Sequence, residues 1–173
     1  MTRLRYNELA PEGLAALRRF EHYLNTATSL SPVLLELVRL RASQTNGCDF
    51  CVHAHTAELR KHHEPDSRIN AVANWQSSEA FTPRERAALA WTETITLIPE
   101  SHASDADYAA VTQFFHDKEL VDLTLAVGSI NLWNRLGVAF RPDWNPQEHT
   151  RKQQSSDAAQ SAVGDDGGKV ATD

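Results

Sequence analysis

The chain holds two cysteines, Cys48 and Cys51, and a histidine, His55, follows the second by one helical turn. If Cys48 opens a helix, these offsets place all three side chains on one face. A thiol at a helix N-terminus is acidified, because unpaired N–H groups and the helix dipole favour an anion. That argument marks Cys48 as the more acidic thiol. His55 can instead take the proton of Cys51 and then stand beside the thiolate as a cation, which marks Cys51 as the base-activated one. The two sulfurs are near enough in sequence to join in a disulfide once one is oxidised.

Glu36 belongs to the preceding helical stretch, and Asn46 and Gly47 read as its stop. Gly47 permits a sharp reversal, so the two helices can pack antiparallel. Glu36 can then reach His55, orient the ring and raise its basicity, completing a proton relay. The competing chemistry is zinc, with Cys48, Cys51 and His55 as ligands and Glu36 or His53 as a fourth. One regular helix is awkward for a closed tetrahedral site, and there is no second cysteine pair. His62 and His63 suit a helix C-terminus. His22, His102, His116 and His149 are scattered and suggest no function.

The elements that must carry these residues read as helices almost throughout. Leu14, Leu17, Phe20, Tyr23 and Leu24 recur at helical spacing within a helix predicted from Pro11 to Ala27. Ser31 and Pro32 are an N-cap and a first-turn proline, and Leu34, Leu37, Val38 and Arg41 share one side of the helix they open. The cysteine helix should run to Lys61, and a short helix should follow Pro65 and Asp66. Thr82 and Glu85 form a capping box for a helix predicted to end at Ile98, before Pro99, with Ala87, Trp91, Ile95 and Ile98 inward. Ser104 caps another, predicted to reach His116, with Tyr108, Val111, Phe114 and Phe115 inward. A last helix, Asp117 to Leu136, is apolar nearly all round, and so should be buried centrally or at a subunit contact. Trp91 and Trp133 read as packing. Asn131, Asn134 and Arg135 read as satisfied polar groups at a subunit contact, or as groups facing the thiol pocket.

At 173 residues the chain suits one domain that needs no disulfide or metal staple. Seven Gly, seven Pro and abundant Ala and Leu favour helices. Residues 147–173 lack aromatics, Leu and Ile, so we expect a folded domain over 1–146 and a disordered tail over 147–173. A net charge of −6 without a basic run argues against nucleic-acid or anionic-membrane partners. The start shows no signal-peptide pattern and no stretch suits a membrane span, so the expected location is the cytoplasm. In that reducing compartment a Cys-x-x-Cys pair is better explained by chemistry or by metal binding than by stapling.

Taken together, Glu36, eleven intervening residues, Cys48-x-x-Cys51, three more and His55 resemble the Glu-x11-Cys-x2-Cys-x3-His signature of the alkylhydroperoxidase D (AhpD) branch of the carboxymuconolactone decarboxylase family. The stretch from Leu37 to Gly47, and Asn131, Trp133, Asn134 and Arg135, fit the same resemblance, which spans about residues 5 to 145. It implies a single-domain, all-α AhpD-like bundle that assembles as homo-oligomers, trimers or hexamers. It also implies thiol-dependent peroxidase activity on hydrogen peroxide or organic hydroperoxides, sustained by a dithiol or thioredoxin-like electron donor, with no cofactor or metal. By that resemblance Cys51 is the peroxidatic cysteine, Cys48 the resolving one, and His55 and Glu36 the proton relay. The best-known member has a further histidine just before the second cysteine, where this chain has Phe50, so the relay should be shorter here. The remaining readings are a redox-sensing or oligomeric interaction protein, or a decarboxylase-type lyase, whose branches generally lack the cysteine pair.

Overall fold

The structure, a computed structural model, describes residues 1–143, so the tail expected over 147–173 lies outside the described residues. Those residues form α1 (Tyr6–Leu9), α2 (Pro11–Thr26), α3 (Pro32–Thr45), α4 (Asp49–Lys61), α5 (Asp66–Ala71), α6 (Pro83–Thr96), α7 (Ile98–Ser101), α8 (Asp105–Val111) and α9 (Asp117–Phe140). A 3-10 segment, Val72–Ser77, joins α5 to the loop before α6, and there is no strand among the described residues. The fold is all-α.

The helix starts follow local chemistry. Ser31 Oγ accepts the Leu34 N–H at 3.2 Å, and Pro32 occupies the first turn, where its missing N–H leaves no bond unmade. Thr82 and Glu85 cap each other reciprocally: the Thr82 N–H donates to Glu85 Oε2 at 2.9 Å, and the Glu85 N–H to Thr82 Oγ1 at 3.3 Å. Ser104 caps α8 through the Asp107 N–H.

The ends differ from the sequence expectations. α6 stops at Thr96, where Leu97 leaves helical geometry, and Pro99 sits in the first turn of α7 instead of ending α6. Ile98 is 49% exposed rather than inward, and Ala88, Leu89, Trp91 and Thr92 form the buried face of α6. α8 ends at Val111, short of His116; Tyr108 within it is exposed rather than inward, while Phe115 enters the core from the loop beyond. α9 continues past Leu136 to Phe140. Once a helix breaks, the periodicity that assigned its faces no longer holds.

Helix α3 is the hub, packing on α4, α6 and α9. Its flanks feed two apolar clusters. Leu35 and Val38 join Leu24, Trp91, Phe115, Leu123 and Val127, while Leu37 and Leu40 join Leu59, Ile69, Val72, Trp75 and Leu89. A helix buried on both sides must satisfy or pair its polar residues, and two charged residues of α3, Glu36 and Arg39, lie inside. Among the described residues no helix is long and apolar enough to cross a membrane.

Candidate active site

The reversal between α3 and α4 places both cysteines. Gly47 adopts φ +65°, the left-handed region that glycine enters without steric cost. The Gly47 N–H donates to the Gln44 carbonyl at 3.2 Å and the Cys48 N–H to the Ser43 carbonyl at 3.0 Å, the paired bonds of a Schellman stop. Cys48 is therefore released directly into the N-cap position of α4. Its Sγ accepts the Cys51 N–H at 3.4 Å, and its carbonyl accepts the Val52 N–H at 2.9 Å. Cys48 and Cys51 are joined in a disulfide with their Cα atoms 5.3 Å apart. Both are buried, Cys51 slightly less deeply.

The antiparallel packing of α3 and α4 brings Glu36 to His55. Glu36 Oε2 lies 2.8 Å from His55 Nδ1. Burial alone pushes the Glu36 carboxyl up, but His55 and Arg39 outweigh it and hold the group well below the usual carboxylate range. An ionised Glu36 can only accept, so this bond puts a proton on Nδ1. In the neutral imidazole, Nε2 is then the nitrogen that can receive another.

Arg39 was not singled out by its sequence. Its guanidinium donates from Nη1 to Glu36 Oε1 at 2.5 Å, and from Nη2 to Glu21 Oε2 at 2.7 Å and Asn25 Oδ1 at 2.8 Å. Glu21 also accepts from the Ser129 hydroxyl and, at 3.1 Å, from Trp133 Nε1. Trp133 thus serves as a hydrogen-bond donor besides filling space. The three-residue spacing of Glu36 and Arg39 on one helix was the available signal; Glu21 comes from a separate helix and had none.

A second polar cluster braces the reversal. Asn46 Nδ2 donates to Asn131 Oδ1 at 2.8 Å and Asn134 Oδ1 at 2.9 Å. Asn134 Nδ2 donates to Ser43 Oγ at 3.0 Å, and Asn131 Nδ2 to Thr96 Oγ1 and the Val127 carbonyl. Both asparagines are buried inside this chain, tying α9 to the turn that precedes Cys48. Their side-chain bonds run to the turn, to Thr96 and to the Val127 carbonyl, not to the sulfurs. Gly137 of α9 abuts the disulfide so closely that a Cβ there would stand 2.5 Å from Cys48 Sγ and 3.2 Å from Cys51 Sγ. It, too, escaped the sequence reading.

His53 is exposed on another side of α4, as its position predicted. Among the described residues no group of three or more His, Cys, Asp and Glu side chains is arranged to hold a metal ion, and the two sulfurs are bonded to each other.

The carboxymuconolactone decarboxylase family profile matches residues 11–94. The uncharacterized protein YdfG of Bacillus subtilis is 38% identical over 138 residues, 80% of this chain and 93% of that relative. The chain belongs to the carboxymuconolactone decarboxylase family. A crystal structure of a protein of unknown function from Agrobacterium tumefaciens, described as a candidate AhpD antioxidant-defence protein, superposes with a TM-score of 0.81 at 36% identity, covering 84% of this chain and 99% of that one. The alkylhydroperoxidase AhpD core of a peroxidase-related protein from Ralstonia eutropha shares the fold, with a TM-score of 0.73 at 21% identity over 82% of this chain and 75% of that one. Within the family the chain falls in the AhpD-like branch.

Proposed function

We propose that this protein is a thiol-dependent peroxidase that reduces hydrogen peroxide or organic hydroperoxides. The observation that carries the reading is the Glu36–His55 hydrogen bond at 2.8 Å on the helix pair that also presents the Cys48–Cys51 disulfide. The structure then corresponds to the oxidised half of the cycle.

After reduction, His55 Nε2 accepts the Cys51 thiol proton, and Glu36 stabilises the resulting imidazolium. The Cys51 thiolate attacks the terminal peroxide oxygen. The S–O bond forms, the O–O bond breaks, and the departing alkoxide or hydroxide takes the proton from the imidazolium and leaves as alcohol or water. Cys51 is now a sulfenic acid. The Cys48 thiol attacks that sulfur, the disulfide forms and water leaves. A dithiol or thioredoxin-like donor returns both thiols by exchange and is itself oxidised to a disulfide. Cys51 takes the first role because it lies one turn before His55 and is the less deeply buried sulfur. The disulfide cycle asks for a reducing compartment, so we place the protein in the cytoplasm. We also read it as a homo-oligomer, since apolar Val121, Leu125 and Leu132 stand exposed along α9.

Steady-state turnover with a panel of hydroperoxides and dithiol donors tests the reading. Cys51→Ser should abolish peroxide consumption. Cys48→Ser should consume about one equivalent of peroxide and then stall as sulfenic acid. Undiminished turnover in the double variant would overturn the proposal, and a stalled Cys51→Ser beside an inert Cys48→Ser would exchange the two roles.

A further inference from the structure

The buried charges around Glu36 do more than satisfy one another. Glu36 divides its two oxygens between partners on different helices: Oε1 accepts from Arg39 of α3, and Oε2 meets His55 of α4. Arg39 is divided in turn between Glu36 and Glu21 of α2. Groups on three packed helices meet this chain of charges. α2 supplies Glu21 and the neutral Asn25, α9 supplies the neutral donors Ser129 and Trp133, and α4 supplies His55.

We propose that Arg39, balanced by Glu21, is a positioning residue that sets how tightly the Glu36–His55 pair holds its proton. Arg39 fixes Glu36 Oε1, so that Oε2 is presented to His55. Its positive charge also offsets part of the carboxylate field that the imidazole experiences. A bare buried carboxylate would hold a proton on the imidazole so tightly that fewer molecules would keep the free Nε2 that must accept the Cys51 proton. With Arg39 alone, that field would be over-neutralised. Glu21 restores the balance from the far side of the guanidinium. The consequence for turnover rests on the peroxidase reading above, whereas the charge arrangement stands without it.

Coulomb's law gives the signs. Removing the Arg39 cation strengthens proton binding by the pair, whichever of the two residues carries the proton. Removing the Glu21 anion weakens it. The test is an NMR pH titration of the His55 ring in the oxidised protein, where neither cysteine titrates, with His55→Gln used to assign the signal. Arg39→Gln should move the midpoint up by roughly one pH unit, the lower end of what a single close charge achieves. Arg39→Lys, which keeps the charge, should return most of that shift, and Glu21→Gln should move the midpoint down. A residue that merely clamps α2 to α3 would lower stability in Arg39→Gln and Glu21→Gln without shifting the midpoint in opposite directions. A folded Arg39→Gln protein with an unmoved midpoint overturns the proposal. Where Arg39→Gln does not fold, an unmoved Glu21→Gln midpoint overturns it. Opposite shifts in a protein that consumes no peroxide would retain this inference and reject the peroxidase reading. Turnover without the shifts would do the reverse.

Discussion

Glu36 is a charged residue on a helix whose neighbours Leu35, Leu37 and Val38 are almost wholly buried. Such a position is tolerable only because Arg39 and His55 meet its two carboxylate oxygens, and that makes folding sensitive to acid. Its carboxyl is held down to about 2, against 4.5 for an ordinary glutamate, by His55 and Arg39 acting against burial. The stabilisation is fully present above the unfolded value and is lost as the pH falls through the folded one. Urea unfolding at a series of pH values should therefore show stability draining away between about pH 4.5 and 2, with Glu36 contributing up to a few kcal/mol. Glu36→Gln should flatten that part of the profile. An unchanged slope would mean that other carboxylates govern acid unfolding.

At the scale of elements, the decisive feature is the meeting of the α3–α4 reversal with α9. The Schellman stop at Gly47 and the N-cap at Cys48 are consecutive, so both sulfurs are placed by backbone geometry within a few residues. Asn46, Asn131 and Asn134 then lock that turn to α9, and each amide hydrogen bond inside a buried network is costly to leave unmade. The absence of a side chain at Gly137 lets α9 approach the disulfide. Gly137→Ala should destabilise the oxidised protein by roughly 1–3 kcal/mol, because the added methyl overlaps Cys48 Sγ and one side must yield. Gly13→Ala in α2, where nothing lies within 4 Å, should instead be neutral or stabilising by up to about 1 kcal/mol through helix propensity. Denaturant midpoints of the two variants, measured with the disulfide intact, check the contrast.

For the whole molecule, α3 holds the two apolar clusters together, and α9 covers one of them with Leu123, Ala126 and Val127. The other side of α9 presents Val121, Leu125 and Leu132 outward, each at least 38% exposed. A row of that kind on a long helix is the surface we expect between copies of this chain. Leu125→Asp with Leu132→Glu should convert the assembly to monomers in sedimentation velocity while leaving the helical circular dichroism intact. A wild-type protein that already sediments as a monomer would remove the oligomer from the proposal.

Signals that act within a turn or two were legible in the chain. Ser31, Thr82 and Ser104 cap where expected, because a cap needs only its own side chain and an N–H three residues on. Gly47, Cys48, Cys51 and His55 follow the same local rules, and the reversal at Gly47 already allowed Glu36 to meet His55. What depended on distant helices was not legible. Ile98 turned outward because α6 ends before it, and Tyr108, inside the intact α8, lies where no described element covers it. Asn131 and Asn134 were recognised as polar groups on an apolar helix, but only the fold showed that they face the α3–α4 turn. The spacing of Glu36, Cys48, Cys51 and His55 thus marked four groups that the α3–α4 pair carries, with Glu36 bonded to His55 and Cys48 to Cys51. The tertiary structure alone decided what surrounds them, because Glu21, Trp133 and Gly137 lie far from them in sequence and are brought there by packing.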